Sequence, residues 1–364
     1  MRRAALVLAL LLTTACGGGE EEPRTPPAEP PREIEVDASS TLYGFVGDTA
    51  GNPVEGVVVS DGFQCVATDA GGVYEMKRDA AAEYVCYSVP AEFKIRTGHD
   101  GYPDFYVRLD TSQQKIRQDF TLERLAGVER NFRLICIGDP QINEASHAVR
   151  FKEEAGREIR EYAASAGVPC YGITLGDHVN NKWTLFTNMV VALQPEQTGV
   201  PVFATIGNHD HEFPTADEKA ARAKYESYFG PVDYSFNRGD VHVVSMDNVI
   251  HSCKASADYE GGFTAAQYAW LKQDLSFVPK DKMVILCVHI PFRGGWGTNS
   301  AHADADKYYD EVLDLLSQYE YAAIMSAHTH SNINYIHRKN GKEIFEHVTG
   351  TTCGCLLYTS PSPR

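Results

Sequence analysis

A chain of 364 residues with 43% hydrophobic content is long enough for two cored units and too apolar to be disordered throughout. Its formal charge of -16, from 33 basic and 49 acidic residues, comes without any Lys/Arg-rich block and argues against nucleic acid or an anionic membrane face as the main partner. An anionic substrate would need positive charge supplied locally, which bound metal ions provide.

The chain opens "MRRAALVLALLLTTAC", two arginines ahead of an apolar stretch over residues 4–12. The stretch reads as an export signal and is too short to span a bilayer. Residues 13–16 resemble a bacterial lipobox, which implies cleavage before Cys16 and lipidation of that cysteine, with Gly17 favouring the outer membrane. A plain secretory signal is the alternative. Residues 17–38, rich in Gly, Glu and Pro, cannot build a core and read as a solvated tether. The expectation is an exported protein anchored at the outer membrane or in the periplasm through Cys16.

From 39 to 125 the runs are short and β-like: "LYGFVGD", "GVVVSDG", "CVATD", "VYEMK". Gly, Asp and Asn-Pro turns between them predict a small antiparallel, all-β sandwich. The segment resembles the carboxypeptidase-regulatory-like (transthyretin-like) fold. Cys65 and Cys86 fall in neighbouring strands and could pair in an oxidising compartment, whereas Cys136, Cys170 and Cys287 read as core. His99, in "GHDGYPDFY", reads as a turn on a surface facing the next unit.

From 130 to 354 apolar strands alternate with helical patterns. Strands "FRLICIG", "PCYGITLG", "VPVFATIG", "VHVVSMD", "KMVILCVHI" and "YAAIMSAH" are interleaved with helices around 145–166, 183–193 and 264–275. Internal strands with near-continuous Val, Ile and Leu predict an α/β layered domain, whose ligands collect beyond the strand ends.

Five of those ends deliver Asp, Asn or His. They are Asp139 with Gln141, then Gly176-Asp177, then Gly207-Asn208-His209-Asp210, then His289, and finally His328-Thr329-His330. A lone histidine after a strand is usually structural, but five ends in series point to a site. Carboxylate, amide and imidazole donors suit Mn, Fe or Zn rather than a thiolate metal. One carboxylate can bridge two cations roughly 3.5–4 Å apart, as in two-metal phosphoryl-transfer sites. Two residues apart at a strand end, His328 and His330 are expected to point to one side, and so are Asp139 and Gln141.

Over residues 131–350 this set resembles the calcineurin-like metallophosphoesterases. The resemblance implies a layered α/β/β/α sandwich and two divalent metal ions. Asp139, Asp177 and His330 would hold the first, with Gln141 in the fourth place. Asn208, His289 and His328 would complete the second, and Asp177 would bridge. His209 would sit off the metals as acid or transition-state donor, oriented by Asp210. The implied reaction is hydrolysis of phosphomonoesters or phosphodiesters by water activated between the cations. Gln141, a weaker and harder donor than imidazole, predicts an altered rather than dead site, loose at the first metal and favouring Mn. Alternatives are a cyclic-nucleotide phosphodiesterase, or a surface lipoprotein binding phosphorylated ligands through a degenerate site. The N-terminal module, "DPQ" and "GTTCG" together resemble an exported bacterial subgroup that carries a further C-terminal domain.

His178 reads as a supporting or substrate-contact residue. His211, Arg293, Trp296 and His302 could shape the pocket or lie on the surface, Trp183 and Trp270 read as core, and His242, His337 and His347 as structural. Residues 355–364, "CLLYTSPSPR", match the in-frame translation of a transposase-type sequencing adapter, so the natural sequence is expected to continue differently after Gly354.

Overall fold

The computed structural model describes residues 32–251, 259–293 and 307–352. The leader with Cys16, the tether up to residue 31, Trp296, His302 and the 355–364 tail lie outside the described residues. Among the described residues no helix is long and apolar enough to cross a membrane.

The punctuated N-terminal runs form eight strands: β1 (Leu42–Asp48), β2 (Val58–Ser60), β3 (Cys65–Ala67), β4 (Val73–Met76), β5 (Tyr84–Tyr87), β6 (Tyr106–Arg108), β7 (Ile116–Arg117) and β8 (Phe120–Leu122). One sheet runs β3-β2-β5-β6, and the other runs β4-β1-β7 with β8 also on β1. The second sheet corrects the antiparallel expectation, because β7 and β8 both join β1 in parallel. They act as one strand broken at Gln118-Asp119, and the Asp119 carboxylate accepts the Phe45 N–H that the break strands, at 2.9 Å.

The Cys65–Cys86 pairing is corrected too. Ser60 faces Cys65 on one side and Cys86 on the other. The two thiols are therefore two strand spacings apart, roughly 9–10 Å, beyond the reach of a disulfide. Both are buried and free.

The layered domain begins with a parallel sheet, β11-β10-β9, of β9 (Arg133–Ile137), β10 (Cys170–Leu175) and β11 (Val202–Thr205). Next come β12 (Tyr234–Arg238), β13 (Val241–Ser245) and a two-stranded hairpin, β14 (Val249–His251) with β15 (Tyr259–Gly261). Then β16 (Met283–Cys287), β17 (Tyr321–Ser326), β18 (Ile333–Lys339) and β19 (Lys342–Val348) complete a six-stranded sheet in the order β12-β13-β16-β17-β19-β18.

Helices cover both outer faces. The expected helix around 145–166 is split by a π turn at Lys152–Gly156 into α1 (Ala145–Phe151) and α2 (Arg157–Ser165). With α3 (Phe186–Leu193), α4 (Pro195–Thr198) and α5 (Glu218–Phe229), they lie on the side of the three-stranded sheet. On the other side α6 (Ala265–Ser276), started by a Thr264–Gln267 capping box, packs with α7 (Tyr309–Leu316).

Strand alternation separates the layers. Ile285 and Cys287 of β16 face the three-stranded sheet, while Val284 and Leu286 face α6 and α7. This is the α/β/β/α sandwich, preceded by a β-rich module.

The module does not keep a separate core. Its apolar residues run into those of the layered domain as one cluster, with Phe105 packed on Phe203 and Tyr234. The Trp270 indole N–H donates to Ser60 Oγ at 2.8 Å, so this core tryptophan also ties the two parts together. The His99 turn meets the domain through Gln194, whose amide donates to the Asp100 carbonyl at 2.7 Å.

Candidate metal centre

The ligand-bearing turns follow β9, β10, β11, β16 and β17, and within each sheet these strands are parallel, so their carboxyl ends gather together. The turns are sharp. Asp139, Gln141, Asp177, His328 and His330 have φ of 41°, 42°, 53°, 66° and 56°, left-handed values that a non-glycine residue holds only when its surroundings enforce them. Strand alternation is therefore not why Gln141 lies near Asp139 or His330 near His328; the backbone has already left the strand. Gly176 (φ 93°) is needed for space as well, since a Cβ there would lie 2.5 Å from His289 Nδ1. At Gly207 a Cβ would collide with the backbone nitrogen and carboxylate of Asp177.

Two overlapping groups could hold a cation: Asp177, His289 and His328, and Asp139, Asp177 and His330, each with donor atoms within 4.8 Å of one another. Asp177 belongs to both. In the first, His289 Nε2 lies 2.9 Å from Asn208 Oδ1, 3.3 Å from Asp177 Oδ1 and 3.2 Å from His328 Nδ1. In the second, His330 Nε2 lies 3.5 Å from Asp139 Oδ1. The Gln141 side-chain N–H donates to Asp177 Oδ2 at 3.1 Å, and its backbone N–H donates to the Asp177 carbonyl at 2.7 Å. All seven candidate ligands thus come together.

Charge at the centre is unresolved by protein alone. Asp139 Oδ1 is buried and makes no hydrogen bond, a costly state that a cation would relieve. Burial pushes the Asp139 carboxyl up. Burial also opposes charge on Asp177, but His289, His209 and His328 hold it below the usual carboxylate range. Burial works against the His289 imidazolium, yet Asp177 and Asp139 raise its pKa to about 9. Burial and the neighbouring His289 drive His328 down to about 3. A proton on His289 thus stands where a divalent cation would stand, and the donor set fits such a metal.

Residues 40–125 match the family described as the N terminal of Calcineurin-like phosphoesterase, and residues 132–332 match Calcineurin-like phosphoesterase. The chain belongs to the calcineurin-like phosphoesterase family. It is similar to purple acid phosphatase 23 of Arabidopsis thaliana, 26% identical over 181 residues that cover 45% of this chain and 36% of that protein. Purple acid phosphatase 18 of the same plant is 25% identical over 182 residues, 47% of this chain and 38% of that protein. The chain spans less than two fifths of these relatives' length. A dimetal phosphatase from Danio rerio aligns over 60% of this chain and 87% of its own, at 14% identity and a TM-score of 0.43.

Around the converging donors, one expected assignment changes. Asp210 does not orient His209. Its carboxylate accepts the backbone N–H groups of His178 and Gly207, at 2.8 and 3.0 Å, and pairs with His178 Nδ1 at 2.9 Å. His178 Nε2 continues to Thr174 Oγ at 2.8 Å, so both residues brace the scaffold. His209 is held instead by Asn181, whose Oδ1 lies 2.9 Å from Nδ1, leaving Nε2 4.0 Å from Asp177 Oδ2. His211 is buried between the Gly207 carbonyl (3.0 Å) and Asp247 (3.1 Å). His242, His337 and His347 pair with Asp274, Glu346 and Asn334, away from the centre. Arg293 is exposed, and Trp183 donates its indole N–H to the His209 carbonyl at 3.1 Å.

Three supporting residues escape the motif reading. Asn248 Oδ1 accepts the backbone N–H of His289 (3.1 Å) and of Ile290 (3.0 Å), fixing that turn. It follows "VHVVSMD", so the strand-end rule that found the others also points to it. Asn181 and Tyr259 sit in a loop and a hairpin, where no sequence pattern marks them.

Proposed function

We propose that the protein is a metal-dependent phosphoesterase that hydrolyses phosphomonoesters or phosphodiesters of small molecules at a centre held by Asp139, Gln141, Asp177, Asn208, His289, His328 and His330. The observation that carries this reading is one buried carboxylate, Asp177, belonging to two converging donor groups. When bound, two divalent cations supply Lewis acidity that lowers the pKa of water and offsets the charge of phosphate oxygens. Oxygen and imidazole donors suit Mn, Fe or Zn, and the Gln141 amide favours a hard ion such as Mn²⁺.

The chain's own side chains then orient and protonate. His209 has a partly exposed ring, is aimed by Asn181, and stands off the ligand cluster. A proton on its Nε2 would pass to the departing alkoxide or stabilise charge on the phosphoryl group, while Nδ1–H stays on Asn181. An acidic protein can bind an anionic ester because its charge is reversed only at this point. Turnover of para-nitrophenyl phosphate and its bis ester, after chelation and again after adding Mn²⁺, tests the reading. It requires loss and recovery of activity; no turnover of either ester with Mn²⁺ present would refute it.

We further infer that the protein is an exported lipoprotein whose N-terminal module is carboxypeptidase-regulatory-like. The short apolar leader ending at Cys16 supports anchoring, and the Gly and Asn-Pro punctuation supports the module. Cys16→Ser should release the protein from the membrane fraction or leave it unprocessed. Soluble wild-type protein would favour a plain secretory signal.

A further inference from the structure

The two imidazoles of the group shared with Asp177 use opposite nitrogens. His289 turns Nε2 toward the cluster, and its Nδ1 lies 2.7 Å from the Leu175 carbonyl oxygen. A carbonyl only accepts, so Nδ1 carries the hydrogen and Nε2 keeps its lone pair for a cation. His328 is reversed. Its Nδ1 faces His289 Nε2 at 3.2 Å, and its outer nitrogen, Nε2, lies 3.3 Å from the Tyr259 hydroxyl. The phenol ring stands edge-on to the imidazole, with centroids 5.8 Å apart at 82°. Tyr259 opens β15, directly across from His251 of β14, so a hairpin outside the strand-end turns delivers it.

We propose that Tyr259 is a positioning residue that selects the metal-binding tautomer of His328. For Nδ1 to donate a lone pair, the imidazole hydrogen must sit on Nε2, and the Tyr259 oxygen accepts it there. Outer partners of this kind fix ring orientation and tautomer and raise ligand basicity. The backbone does this for His289, where no substitution can remove it. At His328 the same task falls to a side chain, so this ligand alone of the pair can be detuned by mutation. Withdrawing the acceptor lets the hydrogen move to Nδ1, where it blocks the donor.

The proposal rests on the two-cation reading above, and the test separates the two. Full-length wild-type protein and Tyr259→Phe would be titrated with Zn²⁺ by calorimetry. The ¹⁵N signals of labelled histidine would be read in the Zn²⁺-loaded proteins, with His328→Asn assigning the resonance. The expected result is two ions in wild type, and one of the two weakened tenfold to a hundredfold in Tyr259→Phe. The His328 Nε2–H signal should be lost or shifted while the unfolding temperature of the metal-free protein holds. Wild-type affinities with an unchanged His328 signal would overturn the role of Tyr259. Equal weakening of both ions with a lowered unfolding temperature would overturn it as well, since that marks packing. Failure of wild type itself to bind Zn²⁺ would remove the two-cation reading instead.

Discussion

At the candidate metal centre Asp177 shares one donor group with His289 and His328 and another with Asp139 and His330, each with donor atoms within 4.8 Å of one another. In a cavity of about 260 Å³ between the N-terminal module and α5, by contrast, Glu226, Asp233 and Asp247 line the walls with Arg222 among them. Both regions bury acid, but in the second most of it meets a basic group or a backbone N–H. Glu226 pairs with Arg222 at 3.2 Å, Asp247 with His211 at 3.1 Å, and Asp233 accepts the Asp247 N–H at 3.0 Å. Burial raises Glu218 and Glu226 to about 7 and Asp233 to about 6, so protonation relieves what the arginine does not. Buried acid alone does not make a metal site. Donors must converge on one point, as they do around Asp177; Glu218 Oε1 in the cavity makes no hydrogen bond either, like Asp139 Oδ1, but belongs to no such donor group among the described residues.

The largest expected effect removes the shared ligand. Asp177→Asn should lose both ions and cut turnover by orders of magnitude, far beyond the loss of one ordinary donor. Metal analysis and steady-state kinetics would check this, and near-normal metal content would erase the distinction between the regions.

Arg222→Leu attacks the other region. It strands Glu226 and should destabilise the fold by about 2 kcal/mol, less than a fully buried pair would lose, because the arginine side chain is 25% exposed and solvent screens it. Denaturant midpoints would measure this, with bound metal unchanged; loss of metal would show that the regions are coupled.

Gln141→His acts within the centre. Imidazole in place of the amide should lower the Mn²⁺ needed for full activity several-fold and leave the saturated rate nearly constant. Superimposable Mn²⁺ curves would exclude Gln141 as a ligand.

A further effect is in pH. Glu218, Glu226 and Asp233 have folded pKa values above their ordinary ones, so the folded state binds more protons. Their contribution is complete below about pH 4 and is lost as pH rises through 6 and 7. Unfolding midpoints measured with saturating metal should therefore decline from pH 5 to 8, and Glu226→Gln should flatten the decline.

The centre was legible because parallel strands deliver ligands at their ends, and a strand end can be read from an apolar run. The cavity was not, because its residues come from α5, the hairpin and the module, which only tertiary packing joins. Helix α5 shows a short apolar stripe, Ala221, Tyr225 and Phe229 four residues apart, but the stripe does not announce that Glu226 is buried beside it. Adjacency misled at Asp210. In the tight turn Asn208–Asp210 a neighbour's side chain points about a third of a turn away, so Asp210 reaches His178 and not His209. The module's shared core was hidden for a similar reason, since Phe105 and Ser60 give no sign of the partners they meet.

The most direct test of the shared-carboxylate centre is anomalous diffraction from crystals of the full chain grown with Mn²⁺. Two peaks are expected, one against Asp177, Asn208, His289 and His328, the other against Asp139, Gln141, Asp177 and His330, with Asp177 contacting both. A single peak, or Mn²⁺ bound elsewhere with these side chains in place, would contradict it.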